Sequence, residues 1–333
     1  MADPPDGRYD RRVKRIVAVA LCAGVLLLIL LVWAGGAEAV WHSARLVGAG
    51  GFAAVTGVHL ALMGCMGTAW WVLQRSRLRE WPKFALGRTV RDSAAEILPL
   101  SQIGGYVMGA RAAALVGVPG LFAAASTVVD VTVELAAQLG YTAAGLALLA
   151  QLRPGSGFVA PVLAGVIAMA GLVVAFIAFQ ARGIGVVERV SAGLARTLLG
   201  RDLADGGQMQ ARIHALHTHR PALLAAFSIH LAAWFLNGLE TWLTLRLMGV
   251  GLSVAEALVI DSLLYGMRSV AFLVPSAVGV QEGGLILLCG LFGVGADAAL
   301  ALSLIKRARD LAIGVPALLA WQMLEGRRAF GPG

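Results

Sequence analysis

The sequence has few charged residues and no long polar stretch. Asp, Glu, Lys and Arg make up 14% of its 333 residues, whereas soluble domains contain roughly 25%. Hydrophobic residues make up 59%, and the mean hydropathy is +0.79. This composition excludes an ordinary soluble globular protein and indicates an integral membrane protein. Because no polar block is long enough to fold separately, we expect a single membrane domain.

Cysteines and enzyme motifs are also scarce. Cys22, Cys65 and Cys289 lie singly within apolar segments, so neither a disulfide framework nor a cysteine metal site is expected. The sequence has no phosphate-binding loop, no dinucleotide-binding glycine pattern and no nucleophile elbow. We therefore expect a protein that is not an enzyme and that uses no metal or other cofactor. A membrane-embedded transferase would need a nucleophile or metal cluster that the sequence does not display.

The positive charge lies mainly between the apolar runs. A net charge of +8 could indicate nucleic acid in a soluble protein, but arginines in short loops instead mark the cytoplasmic side of a membrane protein. We therefore expect no nucleic-acid partner. The cations of residues 75–91, Arg88 and Arg91 included, are assigned to a cytoplasmic loop. The basic terminus 1–15, the interfacial segment 182–220 and the tail 326–333 are placed in the cytoplasm of a bacterial inner-membrane protein.

The apolar runs predict an all-α polytopic membrane protein. Each is long enough to cross a hydrocarbon core about 30 Å thick. Six full transmembrane helices are predicted, at 16–34, 46–74, 121–151, 158–181, 221–248 and 296–325. The first run resembles a secretory signal ending near Ala39, but it is longer than a signal-peptide core, which favours retention as a helix. The membrane domain is expected to cover 16–325.

Two further apolar segments, at about 84–118 and 254–293, are interrupted in the middle by Pro, Gly and uncharged polar residues. Pro99 interrupts the first and Pro275 the second, and proline removes a backbone donor inside a helix. The pieces beside each proline are short for full crossings, which favours re-entrant hairpins over two complete but short spans. Three full spans separate the hairpins, so we predict an inverted repeat with halves at 46–151 and 221–325.

Small residues recur at a spacing of four beside each interruption. The first hairpin has Gly105 and Gly109, and the second has Gly279 and Gly283. This spacing lets helices approach closely in membranes. We therefore predict that both glycine pairs mediate close helix packing.

Ionisable residues also occur inside the third and the last of the predicted full spans. A charged side chain at membrane depth costs free energy, so such residues are taken as candidates for a functional role. Asp130 and Glu134 share one face of the third full span, since they are four residues apart. The last span carries four more, and the six together are neutral: Asp130, Glu134, Lys306, Arg307, Arg309 and Asp310. One interpretation is a structural ion-pair network between the third and sixth full helices. The other is a headgroup or proton site whose pairing changes between two conformations.

Polar residues near the interruptions are the candidate substrate-binding set. Gln102 and Gln281 either bind a polar ligand group or satisfy the broken backbone. Arg111 and Arg268 could bind a phosphate, although Arg111 also fits a snorkelling interfacial role. His230, Asn237 and Glu240 share one face of the fifth full span. The full set is Glu96, Gln102, Gly104, Gly105, Arg111, His230, Asn237, Glu240, Arg268, Gly279, Gln281 and Glu282.

Two elements carry a resemblance to a known family. Leu98-Pro99 followed by Gly104, and Val274-Pro275 followed by Gly279 and Glu282, resemble the flippase-like transmembrane domain of the lysylphosphatidylglycerol synthetase family over residues 16–325. The run from Ile97 to Tyr106, with Gly109 and Arg111 after it, is similar to the branch associated with hopanoid biosynthesis.

The resemblance implies a lipid transporter that moves hopanoids or a related lipid between leaflets or towards the outer membrane. Its expected partners are membrane lipid, the bilayer, further copies of the chain and lipid-biosynthesis proteins. Synthetase members carry a soluble aminoacyl-transfer domain, and because this sequence stops at Gly333 we expect no lipid aminoacylation. The alternative is a non-catalytic scaffold or accessory subunit of a lipid-modifying system, in which Gln102, Glu282 and Asp130 would tolerate neutral substitution.

Overall fold

The computed structural model describes residues 37–74, 78–98, 101–155, 206–270, 277 and 279–330, with scattered positions between 157 and 174. Within these residues the protein is helical and has no β-strand. The predicted all-α membrane fold is therefore confirmed. The predicted spans 16–34 and most of 158–181 lie outside the described residues, as do Pro99 and Pro275.

The described ranges contain nine α-helices and one short 3-10 turn, Leu78–Glu80. The helices are α1 (Ala37–Gln74), α2 (Trp81–Ile97), α3 (Ser101–Leu115), α4 (Gly120–Leu152), α5 (Gly206–Thr218), α6 (Arg220–Leu247), α7 (Val254–Val270), α8 (Val280–Gly290) and α9 (Ala296–Phe330).

Within the described residues, three helices are long and apolar enough to cross a membrane. They are the segment Arg45–Gln74 of α1, together with Gly120–Leu152 and Arg220–Leu247. These match the predicted spans 46–74, 121–151 and 221–248. Helix α1 continues before its apolar segment and bends at Gly48, where φ is +61°.

Helix α9 contains the predicted span 296–325 but is less apolar than the other three. Its 35 residues correspond to about 52 Å, more than the thickness of the hydrocarbon core. Lys306 and Arg309 interrupt its hydrophobic sequence, and both are buried against other helices. The helix can therefore lie at membrane depth because protein, rather than lipid, surrounds its charges.

The first interrupted segment is a pair of short helices packed on each other. Helices α2 and α3 have 17 and 15 residues, or about 25 and 22 Å. Helix α2 ends at Ile97 and is capped by Leu98, whose extended backbone is the conformation favoured before a proline. A Cβ on Gly105 would lie 2.6 Å from the Arg91 carbonyl oxygen, and one on Gly109 would lie 2.6 Å from the Arg91 Cβ. The predicted close packing at this glycine pair is confirmed.

The second interrupted segment also forms two short helices, but its glycines act differently. Helices α7 and α8 have 17 and 11 residues. Gly279 precedes α8 with φ at +82°, a conformation that favours glycine. A Cβ on Gly283 would meet no described atom within 4 Å, whereas one on Gly284 would lie 2.9 Å from Leu264 Cδ1. The predicted close approach at Gly283 is therefore wrong, because the adjacent glycine faces α7.

Helices from the two halves of the sequence are interleaved. Helix α6 packs against α1, α4 and α7, and α9 packs against both α1 and α2. Helix α5, the described part of the predicted interfacial segment, packs on α4 and buries Ile213 while Arg212 is exposed. The contact between α9 and α2 brings the last helix of the second half beside the first hairpin.

Candidate functional site: a buried charge network

The first group of buried charges joins α2 to α4. Arg88 donates to both oxygens of Glu134, from Nη1 to Oε2 at 2.9 Å and from Nη2 to Oε1 at 2.7 Å. Arg91 donates from Nη1 to Asp130 Oδ2 at 2.7 Å and from Nη2 to Glu134. All four side chains are buried. Paired charge-assisted bonds of this kind compensate the loss of hydration, which single buried charges cannot do.

Two further side chains complete this group. Asp92 accepts from Arg88 Nε at 2.6 Å and keeps partial exposure. The Arg91 guanidinium lies 4.5 Å from the centre of the Tyr106 ring on α3, within the range of a cation–π contact. The assignment of Arg88 and Arg91 to a cytoplasmic loop is therefore wrong, since both lie in a helix and meet carboxylates from α4.

The second group joins α7 to α4, α6 and α9 around Asp261. Lys306 Nζ lies 3.1 Å from Asp261 Oδ1. Three uncharged side chains also donate to the same carboxylate: Tyr141 at 3.1 Å, Asn237 at 2.7 Å and Thr241 at 2.6 Å. Asp261 is fully buried, and these four donors occupy both of its oxygens.

A third group centres on Glu282, which links α8 to α9. Its Oε1 accepts from Arg307 Nε at 2.9 Å and from Ser303 Oγ at 2.8 Å. Its Oε2 accepts from the backbone amide of Gly279 at 2.8 Å, which caps the start of α8. Glu282 therefore holds the start of the half-length helix and ties it to the last helix.

Glu240 forms the link between α6, α9 and α1. Its carboxylate accepts from Arg309, and its Oε2 lies 2.8 Å from His59 Nδ1. Arg309 also donates to Asp310 Oδ1, at 2.7 Å from Nη2. Glu240 and Arg309 are buried, so the pair is screened from solvent.

These contacts correct the predicted pairing of the charges. Among the described residues, no ion pair joins Asp130 or Glu134 to Lys306, Arg307 or Arg309. The network between the third and sixth full helices is therefore wrong. The carboxylates of α4 pair instead with α2, and the cations of α9 pair with α7, α8 and α6.

The ends of the two hairpins meet through one arginine. Arg268, near the end of α7, donates from Nη2 to Glu96 Oε1, near the end of α2. Its Nη1 donates to Gln281 Oε1 in the first turn of α8 at 3.0 Å, and Gln281 Nε2 donates to Ser303 Oγ at 2.9 Å. Arg268 also lies 5.1 Å from the centre of the Tyr265 ring. We call Glu96, Arg268 and Gln281 the hairpin junction.

The remaining candidates occupy different surroundings. Gln102 and Gly104 are half-buried in the first turn of α3, and Gly105 is buried against α2. Arg111 forms a two-bond pair with Glu325 of α9, at 2.7 and 3.0 Å. His230 is fully buried and contacts Asp130. The described bonds of Gln281 go to side chains of Arg268 and Ser303.

Sequence reasoning missed five ionisable members of the network: His59, Arg88, Arg91, Asp92 and Asp261. Asp261 stands in an apolar run within the second hairpin, which is a sign of function that was available. Arg88 and Arg91 are three residues apart and so share one helix face. Two cations need this spacing if both are to contact Asp130 and Glu134, which share a face of α4. His59 gave no comparable indication, because a single histidine in a span has many uses.

Fold and network together define an all-α membrane protein whose interior is held by paired charges around two interrupted helix pairs. The sequence model of the family described as the lysylphosphatidylglycerol synthase transmembrane region matches residues 15–317 of this chain. The chain belongs to this family. No curated protein and no solved structure matched the chain.

Proposed function

We propose that the protein moves a membrane lipid across the bacterial inner membrane, with both termini in the cytoplasm. Membership of a lipid-related membrane family supports a lipid substrate. The hopanoid branch resemblance of residues 97–111 favours hopanoids or a related lipid with a polar head, delivered between leaflets or towards the outer membrane.

The hairpin junction is the observation that carries this proposal. Helices α2, α3, α7 and α8 have 17 residues or fewer, and each pair is interrupted within the apolar sequence. Non-helical backbone at membrane depth is tolerated where protein or a wet cavity surrounds it. Two half-crossing hairpins whose interruptions meet at a polar junction are the arrangement by which transporters build a central site from inverted repeats.

The junction has a composition suited to a neutral polar head group. Arg268 is matched by Glu96, and Gln281 adds an amide that can exchange partners. A polyhydroxylated head could replace these hydrogen bonds one for one, without leaving a charge uncompensated. Movement of the two hairpins between inward-facing and outward-facing states would then carry the head across while the apolar part stays in lipid.

The test is translocation in reconstituted liposomes. A fluorescent hopanoid with a polar head is placed in one leaflet, and its transfer is followed with a membrane-impermeant quencher. We expect the wild-type protein to accelerate transfer and Glu96→Gln with Arg268→Gln to abolish the acceleration. The matched control is Arg111→Gln with Glu325→Gln, which removes a similar pair away from the junction and should retain transfer.

Two results would contradict the proposal. If the labelled lipid moves between leaflets at the same rate with and without the wild-type protein, the protein does not transfer it. Retained transfer in the junction variant with loss in the control would place the path elsewhere. If the protein is instead a scaffold for lipid-modifying enzymes, wild-type liposomes show no transfer, and Gln102, Glu282 and Asp130 tolerate neutral substitution in cells.

A further inference from the structure

His230 lies at the point where the first charge group meets α6. Its side chain is fully buried. Its Nε2 lies 3.0 Å from Asp130 Oδ1, and its Nδ1 lies 3.0 Å from the thioether sulfur of Met66 on α1. Both ring nitrogens therefore face a defined partner.

These partners fix how many protons the pair must hold. A neutral imidazole has one N–H and one lone pair, whereas a thioether sulfur and an ionised carboxylate only accept. Two forms satisfy both contacts. Either an imidazolium donates to both acceptors, or a neutral imidazole donates to sulfur and a protonated Asp130 donates to Nε2. Both forms carry one proton more than a neutral histidine beside an ionised aspartate.

The surrounding charges point the same way. The group facing Asp130 contains two guanidinium cations, Arg88 and Arg91, and three carboxylates, Asp92, Asp130 and Glu134. One further positive charge makes the group neutral, and an unbalanced charge is costly away from water. Tyr106 contributes its neutral ring beneath Arg91. The helices packed against α6 are α1, α4 and α7, and their other ionisable side chains are Glu38, His42, Arg45, His59 and Cys65 of α1, Tyr141 of α4, and Glu256, Asp261, Tyr265 and Arg268 of α7.

We propose that His230 and Asp130 form a proton-binding site that couples lipid movement to a proton. In the conformation described, the pair holds one proton. When α2 moves with its hairpin, the N–H or O–H bond of the pair breaks and the proton passes to water on the side then open, leaving neutral His230 and an ionised Asp130 held by Arg91. The coupling rests on the proposed lipid transfer, while the proton site rests on the contacts alone.

His59 provides the internal comparison. Its Nδ1 can donate to Glu240 as a neutral imidazole, and Glu240 also accepts from the fixed cation Arg309. The His59–Glu240 contact is therefore satisfied without an additional proton.

The proton site is tested by solid-state nitrogen NMR of histidine-labelled protein in bilayers at neutral pH, together with infrared spectroscopy of carboxylic acids. His230→Gln assigns the His230 signals, and Asp130→Asn assigns them independently if the first variant does not fold. We expect an imidazolium at His230, or a singly protonated His230 with a carboxylic-acid band that Asp130→Asn removes. A neutral His230 without that band would overturn the proposal.

Coupling is tested in the liposome assay under a pH gradient. For one coupled proton, a gradient of one pH unit should sustain a lipid imbalance of about tenfold between leaflets. His230→Gln should lose this response, while His42→Gln, at an exposed histidine of α1 outside the charge network, should keep it. Lipid transfer that is indifferent to the gradient would overturn the coupling. No transfer at all would overturn the proposed function and the coupling, while the NMR result would still decide the proton site.

Discussion

The two halves of the protein use buried charges with opposite placement. In the first half, the hairpin helix α2 carries the cations Arg88 and Arg91, and the following helix α4 carries the carboxylates. In the second half, the hairpin carries the carboxylates Asp261 and Glu282, and the following helix α9 carries the cations. The position of the ion pairs is thus shared by the halves, while the sign of each partner is not.

The halves also differ in how the charges are distributed. In the first half, two arginines share two carboxylates of α4, so that each guanidinium has more than one partner. In the second half, Lys306 is the charged partner of Asp261 and Arg307 is that of Glu282. Loss of one cation should therefore lower the stability of the protein more when the cation belongs to the second half.

The largest expected effect comes from Lys306→Met. It leaves the buried Asp261 without its cation, and breaking a buried pair costs about 3–5 kcal/mol. Equilibrium unfolding in mixed micelles measures the loss. Adding Asp261→Asn should recover most of it, since the amide retains Asn237, Thr241 and Tyr141 as neighbours. If the double variant is no more stable than Lys306→Met, Lys306 does not stabilise the protein by compensating the charge of Asp261.

A smaller and opposite pair of effects is expected from the glycines. Gly109→Ala places a methyl group 2.6 Å from Arg91 Cβ and 2.8 Å from the Gly87 carbonyl oxygen. Such overpacking costs about 1–3 kcal/mol. Gly283→Ala meets no described atom within 4 Å and gains helix propensity of up to about 1 kcal/mol. The same unfolding measurement compares them, and destabilisation by Gly283→Ala equal to that of Gly109→Ala would show that the halves pack alike.

The smallest effect is expected at the pair between Arg111 and Glu325. Both side chains retain partial exposure, at 17% and 30%, and exposed pairs are worth about 0–1 kcal/mol. Arg111→Gln should therefore change the unfolding midpoint little, and added salt should reduce even that difference. A loss as large as that of Lys306→Met would mean that this end of the bundle is more enclosed than its exposure indicates.

The interruptions and the long helices could be predicted because local chemistry sets them. A proline within an apolar run predicts a break in a helix from the sequence alone. The predicted segments 84–118 and 254–293 agree with helix pairs that begin at Trp81 and Val254. Apolar runs of sufficient length likewise identify spans in any context.

The partners of the charges could not be predicted in the same way. Arg88 and Arg91 share the composition of loop cations, and only the approach of α4, about 40 residues later in the chain, makes them buried partners. The spacing of glycines does not show which face of a helix packs against a neighbouring helix. The sequence therefore predicted a close approach at Gly283, whereas Gly284 is the glycine that packs against α7. Both errors concern contacts between distant segments, which a single sequence does not specify.

The central claim is that the interrupted ends of the two hairpins meet, and paired cysteines test it most directly. Cys22, Cys65 and Cys289 are replaced by serine, and Glu96→Cys is combined with Arg268→Cys. A short bismaleimide should link positions 96 and 268, as mass spectrometry of the digested protein would show, and should link Arg111→Cys with Glu325→Cys as the positive control. Formation of the control link without any link between positions 96 and 268 would contradict the account.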